Sequence, residues 1–269
     1  MASHPSFACS VNKARGLRSG SELSPSFRVR ESRRPLSNTA DNPCVPPAIR
    51  NAFICVFIAG ATFGRFQPAR FQSGSAPPTD IRAVGPGEVF VEVEVTERGF
   101  VSTVKPLRVT PPFTDAVITS VRQWIFSAAI QELKPDPDEP QIVLKRPVKS
   151  RVFVAALFRP PTLNTPVFGT VPKNVATASD DIPFPLTTIM PPYPVSALFD
   201  GTVLLEAEVG SDGHVLTATV LRSAAVFDRP AIEALKKWVF RPASVRSVPT
   251  NSFAYVSFGF RQPVTNKGR

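Results

Sequence analysis

The chain has 269 residues, 43% of them hydrophobic, with 30 prolines and a formal net charge of +10. Up to Arg82 eleven Lys/Arg stand against four Asp/Glu, whereas the remainder carries 20 basic and 17 acidic residues, so the charge belongs to the N-terminal region. That distribution argues against a folded nucleic-acid-binding surface, which gathers basic residues on one face, and the length admits one large or two small domains.

Residues 1–50 are rich in Ser, Arg, Pro and Asn and poor in long apolar side chains, a composition that cannot offset chain entropy by burial, and disorder is expected. An uncharged apolar run follows from Ala52 to Phe63, within a segment 51–64 bounded by Arg50 and Arg65. Twelve residues are about half of a membrane span of roughly twenty. The length best suits the core of an export signal, with Ala59, Gly60 and Ala61 near a cleavage point and translation starting near Val45. A short anchor and a buried apolar stretch remain the other two readings. Cys55 lacks the small residues of a lipobox, so no lipid anchor is expected there. Residues 65–86, "RFQPARFQSGSAPPTDIRAVGP", read as a Pro/Ser/Gly tether.

Beyond this point the sequence repeats itself. An offset of 114 residues aligns 87–129 with 201–243 without a gap, fifteen of the 43 positions being identical. Gly87/Gly201, Glu92/Glu206, Gly99/Gly213, Phe113/Phe227, Trp124/Trp238 and Phe126/Phe240 are among them. Cys9, Cys44 and Cys55 all precede the first copy, so neither copy can hold a disulfide or a thiolate metal site.

In the first copy (87–161), "GEVFVEVEV", "TERG" and "FVSTVKPLRV" predict a hairpin, Val117, Ile118, Val121 and Trp124 mark a helix, and "KSRVFVAALF" supplies a third strand after an acidic loop, "ELKPDPDEPQ". A proline-studded connector, 162–189, has no helical period and is expected to be extended. In the second copy (190–263), "GTVLLEAEV" alternates apolar and polar residues, "GSDG" turns, and "HVLTATVLR" returns. Asp228 stands where a helix N-cap belongs, as Thr114 does in the first copy. Ile232, Leu235 and Trp238 share a helix face, and "SFAYVSFGF" is the last strand. The predicted fold class is α+β: two tandem β-β-α-β units, each a three-stranded antiparallel sheet with one helix packed on it, after a disordered N-terminal region. Trp124, Phe126, Trp238 and Phe240 are expected in the core, where large aromatics supply much of the stability of so small a unit. Glu92, Glu94, Glu206 and Glu208 pair at i, i+2 and are expected on solvated outward faces.

The segment from "PPYPVSALFDGTVLLEAEVGSDGH" through "FDRPAIEALKKWVFRPA" resembles the C-terminal domain of TonB-type energy transducers. The resemblance rests on Tyr193, Pro194, Gly201, Asp212, Gly213, Ser223, Asp228, Ala231, Trp238, Phe240 and Pro242. The first copy keeps Gly87, Gly99, Trp124 and Phe126 but has Thr79 and Asp80 in place of Tyr-Pro, and reads as a diverged duplicate. The resemblance implies a periplasmic or cell-envelope protein, exported or held at the inner membrane through segment 52–63. Its partner would be a peptide of an outer-membrane receptor, taken by strand addition in support of transmembrane transport.

On that reading the edge of the last strand, Ser252, Phe253, Ala254, Tyr255, Val256, Ser257 and Phe258, pairs with the partner, and Tyr193 and Gln262 help to select it. An inner-membrane motor is a further implied partner, although the apolar run is short and carries no His; a homodimer also stays open. The alternative is a secreted structural protein whose repeats bind each other or cell-wall material. No enzyme and no cofactor are expected, since the only histidines, His4 and His214, lie far apart and no phosphate loop or metal-ligand spacing is present.

Overall fold

Alternating side chains and glycine-bearing turns fold each copy into a hairpin. Gly87–Val95 (β1) returns as Val101–Arg108 (β2), Phe113–Val121 forms the helix α1, and Ser150–Phe158 is β3. The second half repeats the order with Gly201–Val209 (β4), Val215–Arg222 (β5), Asp228–Leu235 (α2) and Ser252–Phe260 (β6). The computed structural model describes residues 65–80, 82–133, 143–162, 169, 171 and 177–264. The basic tail 1–50, segment 51–64, most of the acidic loop and part of the connector lie outside them.

The two halves do not form separate three-stranded sheets. They share one six-stranded sheet in the order β5-β4-β6-β3-β1-β2. Within each half the strands are antiparallel, but β6 runs parallel to β3, in register from Ala254/Phe153 to Gly259/Phe158. Joining equivalent strands in parallel relates the halves by a two-fold axis along the seam, which turns the sheet over between them. The helices therefore lie on opposite faces. Helix α2, through Ala231 and Leu235 and with Phe227 of the turn before it, covers Val203, Leu205, Ala254, Val256 and Phe258, whereas α1 covers Val91, Val93, Val152 and Val154.

Each half thus has one face under its own helix and one bare face rich in apolar side chains, and the chain upstream of each copy covers a bare face. Ala69 and Phe71 close over Leu204 and Tyr255 of the second half, while Ala178, Ile182, Phe184 and Met190 close over Phe90, Phe153 and Leu157 of the first. The expected tether is accordingly structured: Arg70–Ser73 pairs antiparallel with Ile125–Ser127, as Phe184–Thr187 does with Val239–Arg241. The 114-residue offset extends into these segments. Trp124 Nε1 donates to the Ser75 carbonyl at 2.9 Å and Trp238 Nε1 to the Ile189 carbonyl at 3.0 Å, and Ser75 and Ile189 are themselves 114 apart.

Neither helix has a side-chain N-cap. The Asp228 carboxylate instead reaches backward, accepting from the Ala224 N–H at 2.9 Å and the Ser223 hydroxyl at 2.5 Å. Thr114 Oγ1 accepts from the Thr110 N–H at 2.8 Å in the same way. Both residues tie the hairpin's exit to the first helical turn, so the capping expectation is corrected from the helix's own amides to the loop before it.

The carboxylates expected in water are largely buried. Glu92 is 7% and Glu206 5% exposed, because each points from its strand into the face covered by the other half's upstream segment. Glu92 accepts from the Ser179 N–H at 3.0 Å and the Ser179 hydroxyl at 2.7 Å. Glu94 and Glu208 stay half-exposed, bonded by Ser102 and Thr217. A third acid, Glu88, accepts from Thr188 Oγ1 at 2.7 Å and faces the Arg108 guanidinium at 3.0 Å.

Burial pushes the Glu88 carboxyl above its ordinary value, against the opposing pull of the Thr188 hydroxyl and Arg108. The folded protein therefore holds this proton more tightly than the unfolded chain does. Stability contributed here is present at low pH and declines as pH rises from the ordinary carboxylate value through the raised one. Denaturation across that window should show wild type losing stability relative to Glu88→Gln as pH increases; a difference that stays constant would contradict the assignment.

Candidate partner-binding site

Strand β6 is not an edge. It pairs antiparallel with β4 from Ser252 to Phe260 and parallel with β3 from Ala254 to Gly259, so Ala254, Tyr255, Val256, Ser257 and Phe258 have strand neighbours on both sides. All five are fully buried, Ser252 is 7% exposed, and Phe253 is half-buried. The expectation of an open margin along 252–258 is corrected, and the reason is in the residues. "SFAYVSFGF" puts Phe253 and Tyr255 on one face and Ala254, Val256 and Phe258 on the other, and "RVFVAALF" of β3 is apolar on both faces too. Strands apolar on both sides belong in the interior of a parallel pairing.

The Tyr255 phenol meets the Glu206 carboxylate at 3.2 Å and accepts from the Phe71 N–H at 3.0 Å. Burial, and then the Glu206 charge, push the phenol well above its ordinary value, so it stays protonated and donates to the carboxylate. Arg70 completes the group, with Nε 2.9 Å from Glu206 Oε2, a second contact from its terminal nitrogen, and the guanidinium stacked 3.9 Å over the Phe253 ring. Arg70, from the upstream segment, thereby fastens that segment over the second half.

Tyr193 and Gln262 lie at the other end of β6. The Tyr193 hydroxyl donates to the Phe199 carbonyl at 2.9 Å and its ring packs on Phe227, while the Gln262 N–H donates to Asp200 Oδ1 at 2.6 Å. They sit where β4 begins and β6 ends, at the end of β6 away from Ser252. Trp124 and Phe126 are each 1% exposed, Trp238 is fully buried and Phe240 is 2% exposed.

Among the described residues the six-stranded sheet ends at β5 and β2. Both outer strands bulge twice against their neighbours. They differ in composition: β2 carries Lys105 and Pro106 between its bulges, residues that blunt an edge, whereas Thr217–Val220 of β5 carries neither. Sequence reasoning passed over β5, although the absence of charge and proline in "VLTATVL" was its signal.

No group of His, Cys, Asp or Glu among the described residues is arranged to hold a metal ion. No described helix is long and apolar enough to cross a membrane.

Residues 191–261 match the family model of the Gram-negative bacterial TonB protein C-terminal. This part of the chain, which carries β4, β5, α2 and β6, is a TonB C-terminal domain, a domain of TonB-type cell-envelope proteins involved in transport. No curated protein matches the chain.

Proposed function

We propose that the chain is a cell-envelope binding protein that takes an extended segment of an outer-membrane receptor by strand addition, in support of transmembrane transport, and that the added strand pairs with β5. The observation that carries this reading is the outer margin of β5, an outermost strand of the domain with no proline or lysine between its bulges. Its outward backbone groups offer hydrogen bonds in strand register, and affinity through the main chain needs no catalytic or metal group. The first half is a diverged copy of the same domain whose third strand occupies the inner margin of β6, so a partner is directed outward unless the seam opens. Export, or anchorage through segment 52–63, brings the domain to the periplasmic side.

Hydrogen exchange on the full chain with peptides from receptor N-terminal segments tests this. Protection is expected to rise at amides within Thr217–Val220, and N-methylation of alternate peptide residues should abolish it. Protection rising along β6 and β3 instead would mean an opened seam and would overturn the assignment to β5. Folded protein that binds no such peptide at high micromolar concentration would end the transport reading.

A further inference from the structure

The seam between the halves is closed along only part of its length. Its ladder starts at Ala254/Phe153, so β3 and β6 fork at the end that carries Ser150 and Ser252, and a cavity of about 420 Å³ occupies the fork. The cavity runs through the sheet, since Pro68 and Ala69 line it from the face closed by the upstream segment and Asp181 and Pro183 from the face closed by the connector. Ser150 and Ser252 line it too, and they hold equivalent positions: their strand neighbours, Val95 and Val209, are 114 residues apart. Both hydroxyls are buried with no hydrogen-bond partner among the described residues, in side chains of residues 9% and 7% exposed. A hydroxyl left in that state costs free energy that a guest offering a donor or an acceptor recovers.

The placement of the two hydroxyls sets the length of such a guest. Alternation puts Ser150 on the face of Val152 and Val154 and Ser252 on that of Ala254 and Val256, which are opposite faces of the sheet. One guest meets both only by passing through the fork with a polar group toward each face. The walls set its chemistry. Phe66 and Phe253 give apolar ring surface, while Ser244, Thr250 and Asn251 add neutral hydroxyl and amide groups. The Asn251 side-chain oxygen accepts from the Ser211 N–H at 3.0 Å, which leaves its amide NH2 to donate. Among the described residues every charged side chain on the wall, Lys149, Arg151, Asp181 and Arg246, is exposed, so the buried part of the cavity is uncharged.

We infer that the fork is a binding site for a small neutral saccharide of two rings. Ring faces that carry only C–H groups lie against Phe66 and Phe253, and hydroxyls at the two ends of the molecule bond Ser150 and Ser252. Apolar walls with a few placed polar groups, and a volume of roughly 300 to 1,000 Å³, are what small-ligand sites share. Hydroxyls that both donate and accept suit Ser and Thr side chains that do the same. A single ring is too short to reach both faces. The site is separate from the margin of β5 and does not depend on the reading given for it.

Calorimetric titration of the full chain with trehalose, sucrose and maltose, and with glycerol as a short control, tests the inference. At least one of the three disaccharides should bind saturably at a single site, roughly tenfold or more tighter than glycerol and with an affinity that salt does not change. Ser150→Ala and Ser252→Ala should each weaken that disaccharide about fivefold, while the melting temperature stays equal or rises because a partnerless buried hydroxyl has been removed. Hydrogen exchange in the presence of the sugar should report protection at 150–152 and 250–253 and none at 217–220. No saturable binding of any of the three by folded protein would overturn the inference, as would glycerol binding equally well or an affinity that falls with added salt. A lowered melting temperature in both serine variants would also overturn it, because the hydroxyls would then be holding the fold together rather than awaiting a guest.

Discussion

Replacing Trp238 with alanine should lower stability by about 3 to 5 kcal/mol, read as a shift of the denaturation midpoint at unchanged slope. The side chain is fully buried, lies 5.8 Å from the Phe240 ring and 5.9 Å from the Phe258 ring, and donates through Nε1 to the Ile189 carbonyl. Truncation therefore leaves a cavity against β6 and also strands a carbonyl of the segment that closes the first half's bare face. Trp238→Phe separates the two contributions: it keeps most of the volume, and the lost hydrogen bond alone should cost about 1 to 3 kcal/mol. If Trp238→Ala cost no more than a typical surface substitution, the aromatic plug would not be what holds helix, sheet and connector together.

Gly213→Val should be comparably severe, at about 3 kcal/mol or more. Gly213 has φ +84°, and a Cβ there would fall 2.1 Å from the Phe240 carbonyl oxygen, a backbone atom with little freedom because the Phe240 N–H donates to the Gly213 carbonyl at 2.8 Å. Two causes are combined, the left-handed backbone and the close approach, and Gly213→Asn distinguishes them. Asparagine tolerates the left-handed region better than most residues, yet its Cβ meets the same oxygen. Asn should therefore rescue little of the loss, and wild-type stability in Gly213→Asn would show that the close approach is not the constraint. Gly99, with φ +85° and the Phe126 carbonyl 2.0 Å from its notional Cβ, is bound by the same geometry.

Local structure was legible where one face or one turn decided it. The hairpins could be read from "GTVLLEAEV" and "GSDG", and the helices from apolar residues spaced by three and four, because those signals reside in neighbouring residues. The sharing of one sheet was not legible in the same way. Phe253 and Tyr255 make the second face of "SFAYVSFGF" apolar as well, but only pairing with β3 turns that into a requirement. The upstream segment misled for a related reason. "RFQPARFQSGS" has the composition of a tether, and nothing local shows that Arg70 finds Glu206, 136 positions along the chain, or that Phe71 lies against Trp124. The burial of Glu92 and Glu206, expected on solvated faces, is not legible because their partners, Ser179 and Arg70, come from segments with the composition of mere connections.

The parallel seam makes the boundary of the recognisable domain a poor place to cut. A fragment spanning 191–261 would retain its own helix and hairpin, yet Leu204 and Tyr255 would lose Ala69 and Phe71, and β6 would lose the neighbour that makes it an inner strand. Each half is completed by chain that lies upstream of the other, so truncating either uncovers apolar surface in both.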